Sequence, residues 1–481
     1  PATQISLLSR VAVLVAGAIC IGLCLFGIRG RMGYNPIKVS QAYYCEDPFL
    51  NQLGVNPVFN LLTSTLDDNR KENRTLHLMS EEDALSKVQK YLHRQGIDRL
   101  SPIARKVERE GTPNRRNVVL VFMESMSANL MGTFGSDKKL TPYLDSLYQQ
   151  SLSFSHFYSS GIHTNHGIYS TLYSFPAIMK RNAMKGSVIP VYSGLPTVLQ
   201  ENGYCNLFFM THESQYDNMN AFLRTNGFDE IYAQENYPSE KVVNSFGVQD
   251  DFMYQYALPI LNERAGTGNP FFSVLLSISN HPPYVIPPYF HPHSDVLEEQ
   301  IVEYADWSIR QFMQAAEKQP WFDNTIFVFL GDHGKMVGTP ECEMPQSYNH
   351  IPLMIYGKDI KPGVYDGFGG QVDVSPTLLG LLNISYLQNN FGVNLLEEER
   401  PCMFFTADNL IGARDSVNMF IYSPDSQQEF KYKLEEGKLH AATGTDEEAF
   451  RNLKDYCFSM LQSTESLVKE HKTLDKVSVK K

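Results

Sequence analysis

The chain has 481 residues, 43% of them hydrophobic and 12% aromatic, which is enough to bury one large domain with appendages and excludes disorder as the default state. Its formal net charge of -12, from 53 acidic and 41 basic residues, argues against general nucleic-acid binding. An anionic substrate must therefore be captured by a local site.

Val11 to Ile28 is an uninterrupted apolar run flanked by Arg10, Arg29 and Arg31, long enough to span a bilayer when Ile5 to Leu8 join it. It reads as a transmembrane helix within 1–31. A signal peptide and a buried core helix are the alternatives, but no convincing small-residue cleavage site follows Ile28. Because the chain starts at Pro1 without Met, this helix is expected to be the last of several. The Arg29, Arg31 and Lys38 cluster alone would favour a cytoplasmic C-terminal side, although that rule is weak for one helix of a larger set.

Residues 32–116 read as a juxtamembrane connector, a spacer with a helix starting at Ser80, where Asp83 three positions on suggests a capping box. From Asn117 strand and helix signals alternate. Strands are expected near 117–123, 153–158, 204–210, 271–279, 325–330 and 351–356, and helices after Thr141, after His163, and over 195–202, 298–318 and 374–382. This pattern predicts an α/β fold with a mostly parallel central sheet sandwiched by helices over 117–400. Short strands after Pro401 and a helix near 447–462 predict a small C-terminal antiparallel sheet and helix over 401–468. The Lys-rich tail, 469–481, is expected to fray. Seven cysteines at wide spacing form neither a disulfide framework nor a zinc ribbon, with one or two bridges left open.

The chemistry gathers at strand ends. Asn117-Val118-Val119-Leu120-Val121-Phe122-Met123 stops at Glu124, and Thr325 to Gly331 stops at Asp332-His333-Gly334. Ligands of open α/β sheets collect just beyond such carboxyl ends, and an acid–acid–histidine set suits a divalent metal. The loop Ser159 to Asn165 follows a strand and opens a helix, so Thr164 would meet a helix N-terminus and any nearby metal. Thr164 equally suits a plain helix cap.

Together, Glu124, Thr164 and Asp332-His333, with Asn324 to Gly334 around the last pair, resemble the sulfatase-like branch of the alkaline phosphatase superfamily. Within it the chain is most similar to lipoteichoic acid synthase-type membrane phosphoglycerol transferases. The resemblance covers roughly 117–382 and implies an alkaline phosphatase-like fold. It also implies one manganese or zinc ion held by Glu124, Thr164, Asp332 and His333, with Thr164 as nucleophile. The Cys/Ser-x-Pro-x-Arg motif of true sulfatases is missing, since Thr164 precedes Asn165, His166, Gly167 and Ile168. His281 matches a position that contacts substrate phosphate or a second metal, and His212 a substrate-side histidine. His350 is a further candidate for the same cavity, so a second metal near His281 and His350 is a further expectation. His291 and His293 read as surface residues, and His163 and His166 as nucleophile neighbours that touch substrate or pack. The Trp and Arg that hold glycerol phosphate in the family are missing from Tyr216 to Asn220, and Arg224 is the expected replacement.

The resemblance implies an enzyme of the bacterial cell membrane with an extracytoplasmic catalytic domain. Its donor would be a phospholipid, its acceptor a glycan or lipid, and nucleic acid is no partner. Phosphoethanolamine transfer and phosphodiester hydrolysis are the competing reactions. A non-catalytic membrane-anchored binding protein is the alternative from another class.

Overall fold

Alternate residues of the strand Asn117–Met123 enter two separate cores. Val118, Leu120 and Phe122 pack into one hydrophobic cluster, and Val119, Val121 and Met123 into another. A strand covered on both faces reads as a continuous apolar run for this reason. The computed structural model describes residues 6–32, 35–45, 50–51, 53–97, 100–186, 189–435, 438–442 and 447–474.

In chain order the main sheet holds β1 (Asn117–Met123), β2 (Leu152–Tyr158), β3 (Cys205–Met210), β4 (Glu230–Tyr232), β5 (Phe271–Leu276), β6 (Thr325–Gly331), β7 (Leu353–Tyr356) and β8 (Gly363–Gly370). Their spatial order is β8-β2-β7-β6-β1-β5-β3-β4, and every neighbouring pair is parallel except the two made by β7. Helices Pro142–Gln150, Asp250–Ala265 and Leu297–Ala316 cover one face. Helices Thr164–Tyr173, Leu195–Glu201, Met219–Thr225 and Val374–Leu381 cover the other. The fold class read from the sequence is therefore the one observed. A five-stranded antiparallel sheet runs from Met403–Thr406 to Lys438–Ala441, and the helix Glu447–Lys469 packs beside it.

Two expectations need correction. The connector is no free spacer. Ser80 caps the helix Glu81–Tyr91 by accepting from the Asp83 N–H at 3.2 Å, and Tyr43, Val88, Leu92 and Ile103 join the core beneath the catalytic sheet. The start of the tail is tied down as well: the Thr473 hydroxyl donates to the Val191 carbonyl at 2.6 Å, and the Asn389 amide donates to the carbonyls of Lys472 and Leu474. The rest of the tail lies outside the described residues.

Among the described residues none of the seven cysteines forms a disulfide. The apolar helix spans Leu7–Arg29, wholly exposed, long and apolar enough to cross a membrane.

Candidate metal and phosphate site

Register brings the two acids together. β1 and β6 pair in parallel from Asn117 opposite Thr325 to Met123 opposite Gly331, so Glu124 and Asp332 leave adjacent central strands at one level. Both are buried, at 1% and 0% exposure. Asp332 Oδ1 accepts from the N–H groups of Ser125 and His333 at 2.8 and 2.7 Å, while its Oδ2 has no hydrogen-bond partner among the described residues. Glu124 Oε1 accepts from the Ser125 hydroxyl at 2.7 Å. Burial, together with the neighbouring Asp332 carboxylate, pushes the Glu124 carboxyl well above its usual range.

His333 closes the group. Its Nδ1–H donates to the Gly334 carbonyl at 2.8 Å, leaving the Nε2 lone pair 3.5 Å from Asp332 Oδ2 and 3.8 Å from Glu124 Oε1. Donor atoms of Glu124, Asp332 and His333 all lie within 4.8 Å of one another. Two repelling buried carboxylates, an orphaned carboxylate oxygen and an oriented imidazole form a donor set that fits a divalent cation.

Thr164 is the first residue of the buried helix Thr164–Tyr173, and His163 rather than Thr164 occupies the cap position. Its hydroxyl donates to Glu124 Oε2 at 3.4 Å. Gly167 permits this approach, because a Cβ there would sit 2.3 Å from the Asp332 carbonyl oxygen. Gly334 plays the same part on the other side, where a Cβ would meet the Ser347 carbonyl at 2.0 Å. The helix N-terminus thus points its free N–H groups toward the acid pair, where an anionic group is favoured.

The remaining candidates divide. His212 follows β3 and His281 follows β5, both at the carboxyl ends that also deliver Glu124 and Asp332. Each donates its Nδ1–H to a neighbouring carbonyl, that of Glu213 at 3.0 Å and that of Pro282 at 2.6 Å, so each Nε2 carries a lone pair. His212 Nε2 is buried without a partner, and burial lowers that imidazole to about 4. Burial lowers His281 too, and its ring lies 4.1 Å from that of Phe246.

His350 turns elsewhere. Its Nε2–H donates to the Ser155 carbonyl at 2.9 Å, and its ring is stacked on Tyr158 and edge-on to Phe134. It staples β2 to the chain entering β7, and the metal-capable group found among the described residues is Glu124, Asp332 and His333, without His281 or His350. Arg224 donates to Asn220 Oδ1 at 2.9 Å, and the Asn220 amide in turn holds the carbonyls of Ser40 and Tyr43. Through Asn220, the Nε–H of Arg224 is linked to the connector.

His163 pairs with Asp408, and His166 approaches the Arg181 carbonyl at 3.3 Å. His291 and His293 are exposed at the rim of a cleft of about 580 Å³ lined by Tyr289, Phe290 and Trp307.

Sequence reasoning passed over Lys335 and Asp217. Lys335 Nζ donates to Asn280 Oδ1 at 2.6 Å, and the Asn280 amide donates to the Glu124 carbonyl at 3.1 Å. Burial lowers the Lys335 ammonium to about 8. Its position directly after Asp332-His333-Gly334 was the available signal. Asp217 adopts a left-handed backbone (φ 47°), and its Oδ2 accepts from the amide of Asn165, the residue after Thr164, at 3.0 Å.

Comparison with known proteins follows from this geometry. The sulfatase family model matches residues 116–384, more than half of the chain. The chain belongs to the sulfatase family. It is 25% identical over 362 residues to the lipoteichoic acid synthase-like YvgJ of Bacillus subtilis, covering 68% of this chain and 56% of that protein. It is 24% identical over 400 residues to a lipoteichoic acid synthase of Staphylococcus aureus, covering 73% and 58%. The chain thus spans somewhat over half the length of these curated relatives.

Among solved structures, an alkaline phosphatase superfamily protein from Vibrio parahaemolyticus matches with a TM-score of 0.74 and 25% identity, over 82% of this chain and 97% of that one. The lipoteichoic acid synthase LtaP of Listeria monocytogenes matches in fold with a TM-score of 0.64 and 21% identity, over 80% and 98%. The sulfatase-family core thus carries the branch read from Glu124, Thr164 and Asp332-His333.

Proposed function

We propose that this sulfatase-family chain is a membrane-anchored phosphotransferase that moves a phospholipid headgroup phosphate, of phosphoglycerol type, through a phospho-Thr164 intermediate to a glycan or lipid acceptor outside the cytoplasm. The observation that carries this reading is the Thr164 hydroxyl at a helix N-terminus, 3.4 Å from Glu124 Oε2 and beside Asp332 and His333. Glu124, Thr164, Asp332 and His333 would hold one manganese or zinc ion. When bound, such a cation neutralises the paired carboxylates, favours the Thr164 alkoxide and polarises a phosphoryl oxygen.

The chain's own groups do the rest. Thr164 Oγ1 gives its proton to water and attacks phosphorus in line, and as the phosphorus–oxygen bond to diacylglycerol breaks the leaving oxygen takes a proton from water. Lys335, held by Asn280, donates to a phosphoryl oxygen as negative charge gathers there. His212 is neutral in the physiological range, and its Nε2 accepts a hydrogen bond from the headgroup. The acceptor hydroxyl then displaces Thr164 by the reverse geometry.

Asp217 favours a second reading. Its carboxylate, bonded to Asn165 beside the nucleophile, already pairs with the Lys185 ammonium at 3.3 Å, and an aminated headgroup that took the place of Lys185 there would make the reaction phosphoethanolamine transfer on the same scaffold. Incubating the full chain with manganese and vesicles of phosphatidylglycerol or of phosphatidylethanolamine, and measuring diacylglycerol, separates the two. Release from the first lipid supports phosphoglycerol transfer, and release from the second supports the alternative. Thr164→Ala must abolish both while the fold persists; unchanged release in that variant would rule out the covalent route.

A further inference from the structure

The helix Pro57–Asp68 is amphipathic the wrong way round for a water-facing element. Val58, Phe59, Leu61, Leu62 and Leu66 are exposed, Leu62 at 60% and Leu66 at 68%, whereas Asn60, Thr63, Ser64 and Asp67 lie half-buried on the opposite arc. At 100° per residue the five apolar positions fill one continuous arc of the helix. Leu53, 71% exposed, precedes it in the chain, and Met32, Ile37, Tyr44 and Leu50 between it and the membrane helix are exposed as well.

This surface is fixed to the catalytic domain at both ends. On one side Arg31 pairs with Glu213 at 2.5 Å, Lys38 N–H donates to Gln215 Oε1 at 2.9 Å, and Asn220 holds the carbonyls of Ser40 and Tyr43. Glu213 directly follows His212 of the site. On the other side Lys71 pairs with Asp425 at 2.7 Å, and Arg181 donates to the Arg74 carbonyl at 3.1 Å. The chain on either side of the helix is therefore tied to the catalytic domain, on one side next to His212.

We propose that the helix Pro57–Asp68 lies in the membrane interface, with its Val58–Leu66 face among the lipids, and holds the mouth of the active site at a fixed height above the bilayer. The occupant follows from continuity. Leu7–Arg29, exposed along its whole length, reads as the bilayer span, and the same chain leads from its end to this patch through a segment docked on the domain. Apolar residues facing outward with polar residues facing inward match a helix whose outer medium is lipid. This inference rests on the lipid-donor reading above and extends it: the donor's headgroup would reach His212 and Thr164 without the lipid leaving its leaflet.

The test uses the full chain in vesicles of mixed phosphatidylglycerol and phosphatidylcholine, with Leu62→Trp compared with Asn60→Trp over the common background of Trp307 and Trp321. A spin label near the top of the acyl chains should quench the tryptophan of L62W roughly twofold or more beyond that of N60W, and iodide should reach it less. Equal access of iodide to both would overturn the proposal. So would shielding of L62W from both quenchers, which would mean that a protein segment or a second copy covers this face.

Function is read separately with the exposed-site variant L61E/L62E/L66E. Turnover of a bilayer-embedded donor should fall about tenfold or more, while hydrolysis of a water-soluble phosphodiester stays unchanged. Equal loss on both substrates would overturn the positioning role. Failure of the parent chain on every substrate would contradict the enzymatic reading, and the quenching comparison would still decide where this helix sits.

Discussion

Lys335 is the cation proposed to meet a phosphoryl oxygen, and its removal tests that role most sharply. Lys335→Gln is expected to lower kcat on the order of 10²-fold while metal uptake, measured by elemental analysis, is retained. Because burial lowers the ammonium to about 8, its charge is lost as pH rises through that value, and the rate of the parent enzyme should fall there. The K335Q profile should lack that limb; an unchanged limb would assign it to another group. That Glu124 and Asp332-His333 share one sheet edge was legible in the sequence because apolar runs that stop at an acid mark strand ends; Thr164 stood out from a plain helix cap only through the family resemblance. The surroundings of His350 and Arg224 were not legible, since a loop histidine that holds a carbonyl and an arginine that holds an asparagine look the same in one dimension as groups that hold a substrate. Asp217 escaped notice because its link to Asn165 joins residues far apart in sequence.

At the scale of elements, the site depends on how closely the helix Thr164–Tyr173 meets the turn after β6. Gly167→Ala puts a Cβ 2.3 Å from the Asp332 carbonyl, so the helix must retreat and carry Thr164 with it. The variant should fold, with circular dichroism near that of the parent, yet lose on the order of 10²-fold in turnover, the effect of misplacing a reacting group by about 1 Å. Full activity would mean that the nucleophile's position does not depend on this contact. The central strands could be read before the structure because their residues alternate between two dry cores and leave only apolar side chains. The edges could not: β4 has three residues, and β8 is the glycine-rich Gly363–Gly370, with almost no apolar pattern. Pro259 within Asp250–Ala265 hid that helix in the same way. The connector's docking was hidden because its contacts to Glu213, Gln215 and Asn220 are polar and long-range.

For the whole molecule, buried neutral histidines set a limit at low pH. Burial lowers His212 and His350 from 6.5 to about 4, so the unfolded chain takes up protons between those values that the folded chain does not. Their contribution to stability is complete above pH 6.5 and is lost as pH falls toward 4. Thermal unfolding should show a Tm that drops over this window, and His350→Asn should flatten the drop. An identical slope in that variant would remove His350 from the account.

The wider architecture joins a helix able to cross a membrane, a connector locked onto the active-site wall and a catalytic sheet whose strand ends hold the acid pair. In the proposed reaction Thr164 becomes covalently phosphorylated by a lipid donor. The direct measurement is intact-mass spectrometry, with peptide mapping, of the full chain after brief incubation with manganese and phosphatidylglycerol or phosphatidylethanolamine vesicles. A glycerophosphate or phosphoethanolamine mass on the Thr164 peptide, absent in Thr164→Ala, is the predicted result. Diacylglycerol release with no adduct on Thr164 at any time point, or an adduct on another residue, would contradict it.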